Sequence, residues 1–214
     1  MRSYMLIFII LALLSICSGA FAEQMIPPGS LGSLQEIFTT INGQLWEASE
    51  DYWHKGEYGR CIAVLQLITE IDPYDVQAYD DAAWLMDSEL RDNEAEALLL
   101  KGLKNNPESS ELYFSLGRFY YFRERFNEAI SYFEIATSFE VPEFMWHSLA
   151  HAYEHAGLAT DALEIWIQRE VIDPDDPVPF NQIARIIQGK PAPDTPGFIS
   201  RAREQRRSEE KPSH

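Results

Sequence analysis

Three histidines and one cysteine are the residues of this chain best suited to chemistry. His147, His151 and His155 recur at a spacing of four. On an α-helix that puts each neighbouring pair on one face, a geometry zinc accepts. The outer two are eight residues apart, about 12 Å along a helix axis, so one ion reaches at most two of them. A third ligand must come from a neighbouring helix, and Glu154 is the nearby carboxylate. Cys61 sits in the apolar run Arg60-Cys61-Ile62-Ala63-Val64-Leu65, where it reads as a small core residue. A nucleophilic thiol needs a histidine or cation against its sulfur; a helix turns the adjacent Arg60 to another face, and the remaining choices are distant in sequence. No GxSxG, P-loop, HExxH or glycine-rich nucleotide turn occurs. The adjacent acidic pairs Asp80-Asp81 and Asp175-Asp176 diverge on a helix or sit in a turn. These residues point away from an enzyme, and no metal or cofactor is expected.

Composition narrows the class further. The 214 residues hold 34 acidic and 17 basic side chains, a net charge of −17, with 46% hydrophobic and 13% aromatic residues. That is a folded composition. It excludes nucleic acid and an anionic membrane surface as partners, since both need clustered Lys and Arg. The charge is uneven. Lys190 onward holds four acidic and six basic residues, and Arg2 is one more basic residue, which leaves 30 acidic and 10 basic for residues 23–189.

Residues 1–22 read as a signal peptide. Arg2 gives the positive start, Tyr4 to Cys17 is an uncharged apolar run of fourteen, and Ala20 and Ala22 form the A-x-A cleavage pattern. Fourteen residues span about 21 Å as a helix, short of the roughly 30 Å hydrocarbon core, so cleavage is favoured over anchoring. Ile16 before Cys17 argues against a lipoprotein. The mature chain is expected to be periplasmic or secreted, with no stable membrane span after cleavage. It would keep Cys61 alone, with no intramolecular disulfide.

A repeat of 34 residues must position the chemistry. Asp72-Pro73, Asn106-Pro107 and Asp173-Pro174 each close a helical segment, and Val141-Pro142 closes one a residue early. Alignment on these marks gives units at 42–75, 76–109, 110–142 and 143–176. Fixed offsets carry fixed residue classes. The eighth is small: Ser49, Ala83, Gly117, Ala150. The twentieth is small: Cys61, Ala95, Ala129, Ala162. The twenty-fourth is large: Leu65, Leu99, Phe133, Trp166. Antiparallel helices approach closely only where small residues face each other.

These units resemble tetratricopeptide repeats. The clearest copy is Tyr113-x-x-Leu116-Gly117-x-x-Tyr120 with Ala129, Phe133 and Ala136, and the fourth unit is nearly as close. The resemblance covers about 42–176 and implies an all-α, right-handed superhelical solenoid of helix–turn–helix repeats, 33–189 in extent. Ser33 to Leu45 would extend the first helix backwards, 23–32 is a linker, and 177–189 is a capping half-repeat over the last apolar face. Residues 190–214, with four prolines and alternating charge, are expected to be a disordered tail.

In this family the first helices line a concave surface. Carrying its groove offsets over implies Trp46, Glu50, Trp53 and His54 in the first unit, and Asp80, Trp84 and Asp87 in the second. The third gives Phe114, Arg118, Tyr121 and Phe122, and the fourth His147, His151, Glu154 and His155. Asn181 and Arg185 come from the cap. Arg118, His151 and Arg185 share the ninth offset and form an expected cationic row, suited to a carboxylate or another anion. Family members that clamp a peptide carboxylate use Lys at the fifth offset, which this chain lacks. The implied function is a protein-interaction scaffold binding a protein or extended peptide in its groove. A metal- or small-ligand-binding protein using His147, His151 and His155 is the alternative, and self-association as a homo-oligomer is the third reading.

Overall fold

A computed structural model of the chain describes residues 30–210. The signal peptide, Cys17 and most of the linker lie outside that range, as do residues 211–214. Among the described residues every regular element is an α-helix. The chain divides into two units after Glu47. Helix α1 (Ser30–His54) begins in the first and ends in the second. In the first unit the stripe Ile37, Phe38 and Ile41 is exposed.

The second unit is a succession of antiparallel helices: α2 (Tyr58–Ile71), α3 (Val76–Ser88), α4 (Asp92–Asn105), α5 (Ser110–Tyr121), α6 (Phe126–Thr137), α7 (Glu143–His155), α8 (Ala159–Ile172), α9 (Pro177–Ile187) and α10 (Thr195–Glu210). The first helices of successive pairs start where short polar side chains cap them. Asp75 accepts from the Ala78 N–H, Ser109 from Leu112 and Asp176 from Val178. Each satisfies an orphan donor of the first turn, an effect of about 1 kcal/mol. Asp75 and Asp176 follow the Asp-Pro turns, so one sequence mark closes a unit and caps the next.

The turn inside each unit has a fixed backbone requirement. The fifteenth residue is left-handed in all four: Gly56 at φ 70°, Leu90 at 62°, Glu124 at 58° and Gly157 at 81°. Two units meet it with glycine. The other two place an L side chain there, at a cost of about 1 kcal/mol.

Packing follows the small–large alternation. Tyr79, Leu65, Phe133 and Trp166 are buried, as are Ala95, Ala129 and Ala162. A Cβ on Gly117 would stand 2.4 Å from the Phe133 ring, so α5 and α6 meet at a distance only glycine allows. Each large side chain removed from water stabilises by roughly 1.5–3 kcal/mol. Hydrogen bonds add to this: within the second unit Asn105 Nδ2 donates to the Tyr79 hydroxyl, and across its join with the first Asn106 Nδ2 donates to the Pro73 carbonyl, each at 2.9 Å.

One expectation needs correction here. Residues 195–210 are not a disordered tail but helix α10. Its proline, Pro196, falls in the first helical turn, where the missing N–H costs nothing, and Arg, Glu and Gln after it are strong helix formers. Pro196 and Arg203 are buried, and Ile199 and Ser200 between them are half-buried. These positions share one face at i, i+3, i+4 and i+7. The capping helix has an exposed apolar side of its own. Helix α9 packs on α8, yet leaves Phe180 and Ile187 exposed. The last pair therefore ends in apolar rather than polar surface.

Candidate functional site

The groove positions separate into exposed, packed and neutralised groups. Trp46 lies in the first unit and is half-buried. In the second unit Glu50, Trp53 and His54 are exposed on the last turns of α1, and Trp84 is exposed on α3. The Trp53 and Trp84 rings stand 5.4 Å apart, and Tyr58 meets Trp53 edge-on at 5.6 Å. With Leu85, Ser88, Glu89 and Arg206 they line a pocket of about 340 Å³. This is a partly exposed aromatic site where α1, α2 and α3 meet.

The third unit is different. Phe114 is buried, 5.3 Å from both Phe133 and Phe144. Tyr121 contacts Phe122, Phe126 and the His155 ring at 5.7, 5.8 and 5.7 Å. Burial beside Glu154 pushes its phenol well above the ordinary value. These rings pack between α5, α6 and α7; Phe114, expected to face a ligand, is buried instead, whereas Tyr121 stays half-buried. Offset alone cannot tell a ring that points outward from one that bends under the next helix.

The cationic row is also not free. Arg118 lies 3.8 Å from the Asp80 carboxylate. Arg185 pairs with Glu154 and donates to Gln182 Oε1 at 2.7 Å and the Lys190 carbonyl at 3.0 Å. His151 Nδ1 is 3.6 Å from Glu154. Both arginines face a carboxylate from an adjacent helix and His151 lies beside Glu154, so the row presents no net positive site for an anion. Glu154 is the centre of this network, accepting also from Trp166 Nε1 at 3.2 Å. Burial alone would raise its pKa, but the bonds from His151, Arg185 and Trp166 hold it below the usual carboxylate value. Asn181 is exposed on α9.

The three histidines do not converge. His147 and His151 pack on Trp166 at 5.0 and 5.2 Å, and His155 stacks on Phe126 at 5.2 Å. Burial lowers the pKa of His147 and His155 below the ordinary histidine value. No group of three His, Cys, Asp or Glu side chains among the described residues is placed to hold a metal ion. Cys61 is buried, its Sγ donating to the Ser49 carbonyl at 3.3 Å, and burial pushes its thiol up.

Offset reasoning missed the strongest charged cluster. Asp87 and Asp92, at the two ends of the α3–α4 turn, share Arg123 from the end of α5 and Arg203 from α10. Arg207 adds to Asp92. Burial raises the Asp92 carboxyl, but Arg123, Arg203 and Arg207 together hold it below the usual value. Arg123 also lies 3.4 Å over the Phe119 ring, a cation–π contact. The available signal was Arg203 and Arg207 at helical spacing in the basic C-terminal stretch.

With this geometry in place, similarity to known proteins can be judged. Residues 110–139 match the family model described as tetratricopeptide repeat. No curated protein matches the chain in sequence. Among solved structures, PilF of Pseudomonas aeruginosa is 15% identical, with a TM-score of 0.59, covering 83% of this chain and 79% of that one. MamA protein is 18% identical, with a TM-score of 0.57, covering 83% and 97%. MamA from Desulfovibrio magneticus RS-1, from residue 41 to its end, is 11% identical, with a TM-score of 0.57, covering 80% and 97%. The helix pairs thus have a tetratricopeptide-like fold, and one of them, within residues 110–139, matches the repeat's family model.

Proposed function

We propose that this chain is an exported, non-enzymatic scaffold that binds a protein or extended peptide on the face built by the first helices of its repeats. The observation that carries the reading is the exposed Trp53–Trp84 pair beside its pocket. Tryptophan anchors bound partners with large apolar area at small entropic cost, and these two rings keep 40% and 46% of their surface exposed. The tetratricopeptide fold supports an interaction role by analogy of architecture. Export rests on the A-x-A segment at 20–22. The test is affinity capture from the native compartment with the wild-type chain and a Trp53→Ala, Trp84→Ala variant of unchanged helicity. Partners lost by the variant support the reading, and an identical partner set overturns it.

A second reading, self-association, has one specific observation behind it. The α8–α9 end exposes Val171, Ile172, Phe180 and Ile187, between 62% and 75% accessible. Sedimentation velocity of the chain and a Phe180→Asp variant tests it. A wild-type oligomer that the variant dissolves supports it, and a wild-type monomer at high concentration ends it.

A further inference from the structure

The C-terminal segment does not leave the repeats after α9. It runs back along them, from the last unit towards the first. The Lys190 carbonyl accepts from Arg185, and the Pro193 carbonyl lies against His155. Ser200 Oγ donates to the Phe122 carbonyl at 3.0 Å, Arg203 Nη1 to the Asp87 carbonyl at 2.9 Å, and Arg206 Nη1 to the Ser88 carbonyl at 2.8 Å. Arg206 then borders the Trp53–Trp84 pocket. His155, Phe122, Asp87 and Trp53 are groove positions of four successive units, met in reverse order. The segment therefore lies on the surface that a ligand of these repeats would use.

How it is held matters as much as where. Arg203 is buried to 7% side-chain exposure between Asp87 and Asp92. Pro196 is the one fully buried apolar side chain of α10, Phe198 is 67% exposed, and among the described residues no close helix-on-helix seam joins α10 to the repeats. Its hold is mainly guanidinium to carboxylate and to helix-end carbonyls. The Asp87 and Ser88 carbonyls that take the guanidinium groups stand at the negative dipole end of α3, which favours a cation. The charge division is complementary: six basic and four acidic residues from Lys190 onward, against 10 basic and 30 acidic in 23–189. Contacts of this kind weaken with salt and exchange readily.

We propose that α10 is a built-in ligand of the first-helix face, and that the face's external partner is an arginine-bearing helix that takes its place. This rests on the reading that the face binds protein. The partner helix presents a small polar residue and arginines at i, i+3 and i+7, as Ser200, Arg203 and Arg207 do. It inserts the middle arginine between Asp87 and Asp92, and brings its following turn to the tryptophan pocket.

The test uses the full chain and a labelled synthetic peptide of residues 194–210. An Arg203→Glu, Arg207→Glu chain, and separately an Arg203→Ala chain, are checked for cooperative unfolding and for faster hydrogen exchange across 195–210. Fluorescence anisotropy then measures peptide binding. The released chains are expected to bind the peptide at least about tenfold more tightly than wild type, because wild type already holds its own copy. A peptide with Gln at the three arginines 203, 206 and 207 is expected not to bind. Unchanged exchange of α10 in both variants, equal binding by wild type and released chains, or equal binding of the Gln peptide overturns the proposal. If the Trp53/Trp84 variant still loses captured partners in that event, the binding face stands and only its arginine-helix ligand is wrong. If the peptide binds but capture is unaffected, the face holds its own helix and is not the partner site.

Discussion

Arg203 Nη1 donates to the main-chain oxygen of Asp87 at 2.9 Å, joining residues 116 positions apart. The same guanidinium pairs with the Asp87 and Asp92 carboxylates. One side chain thus ties the C-terminal helix to the turn between the helices of the second repeat. If that tie is chiefly ionic, raising salt from about 0.05 M to about 1 M shortens the Debye length from roughly 14 Å to 3 Å and loosens it. Hydrogen exchange should then quicken across 195–210 while 110–137 keeps its protection. Equal protection at both salts contradicts an ionic hold.

Glu154 holds the last two units together. Its side chain is 6% exposed and accepts from Arg185 and Trp166. Glu154→Ala leaves the half-buried Arg185 guanidinium without its main partner, and should cost about 2 kcal/mol. Chemical denaturation checks this; a loss under about 1 kcal/mol shows that water or Gln182 replaces the carboxylate.

The turn at Glu124 carries removable strain. Its φ is 58°, where the equivalent residues Gly56 and Gly157 have no Cβ, and Glu124 is exposed. Glu124→Gly should stabilise the chain by up to about 1 kcal/mol, the relief of left-handed strain less the extra freedom of glycine when unfolded. Gly117→Ala should do the opposite by about 1–3 kcal/mol, since the new Cβ would meet Phe133 at 2.4 Å. Thermal melts of the two variants should move apart, and a shared direction refutes the geometry.

Acid should unfold the chain in two stages. His147 and His155 have folded pKa values lowered from 6.5 by burial, so the unfolded chain binds protons first as pH drops. Stability is then level above the ordinary histidine range and declines below it. Asp92 and Glu154 are lowered from 3.8 and 4.5. Their contribution is present above those unfolded values and is lost as pH falls through the folded ones. A Tm-against-pH curve should show both declines, and His155→Phe should shrink the first. A variant curve parallel to wild type argues against a buried neutral His155.

The repeat was legible in the sequence because its cause is local. Gly117 against Phe133 and the Asp75, Ser109 and Asp176 caps act within one or two helices, so fixed offsets record them. The site was legible only in part. Trp53 and Trp84 stand exposed at their groove offsets, but Phe114 turned into the core and Arg118 met Asp80. Both outcomes depend on side-chain direction across helices, which an offset does not carry. Helix α10 was hidden for another reason. Its anchor is a pairing over 111 residues between Arg203 and Asp92, and a basic stretch read alone resembles a solvated tail.

The central claim is that partners meet the chain on the first-helix face, and site-specific photo-crosslinking in the native compartment tests it most directly. A photoreactive residue replaces Trp84, exposed on α3 beside the Trp53 pocket, or Leu67, exposed on the second helix α2. The account predicts a discrete crosslinked partner from position 84 and none from position 67. A partner captured from position 67 but not from 84 would contradict it.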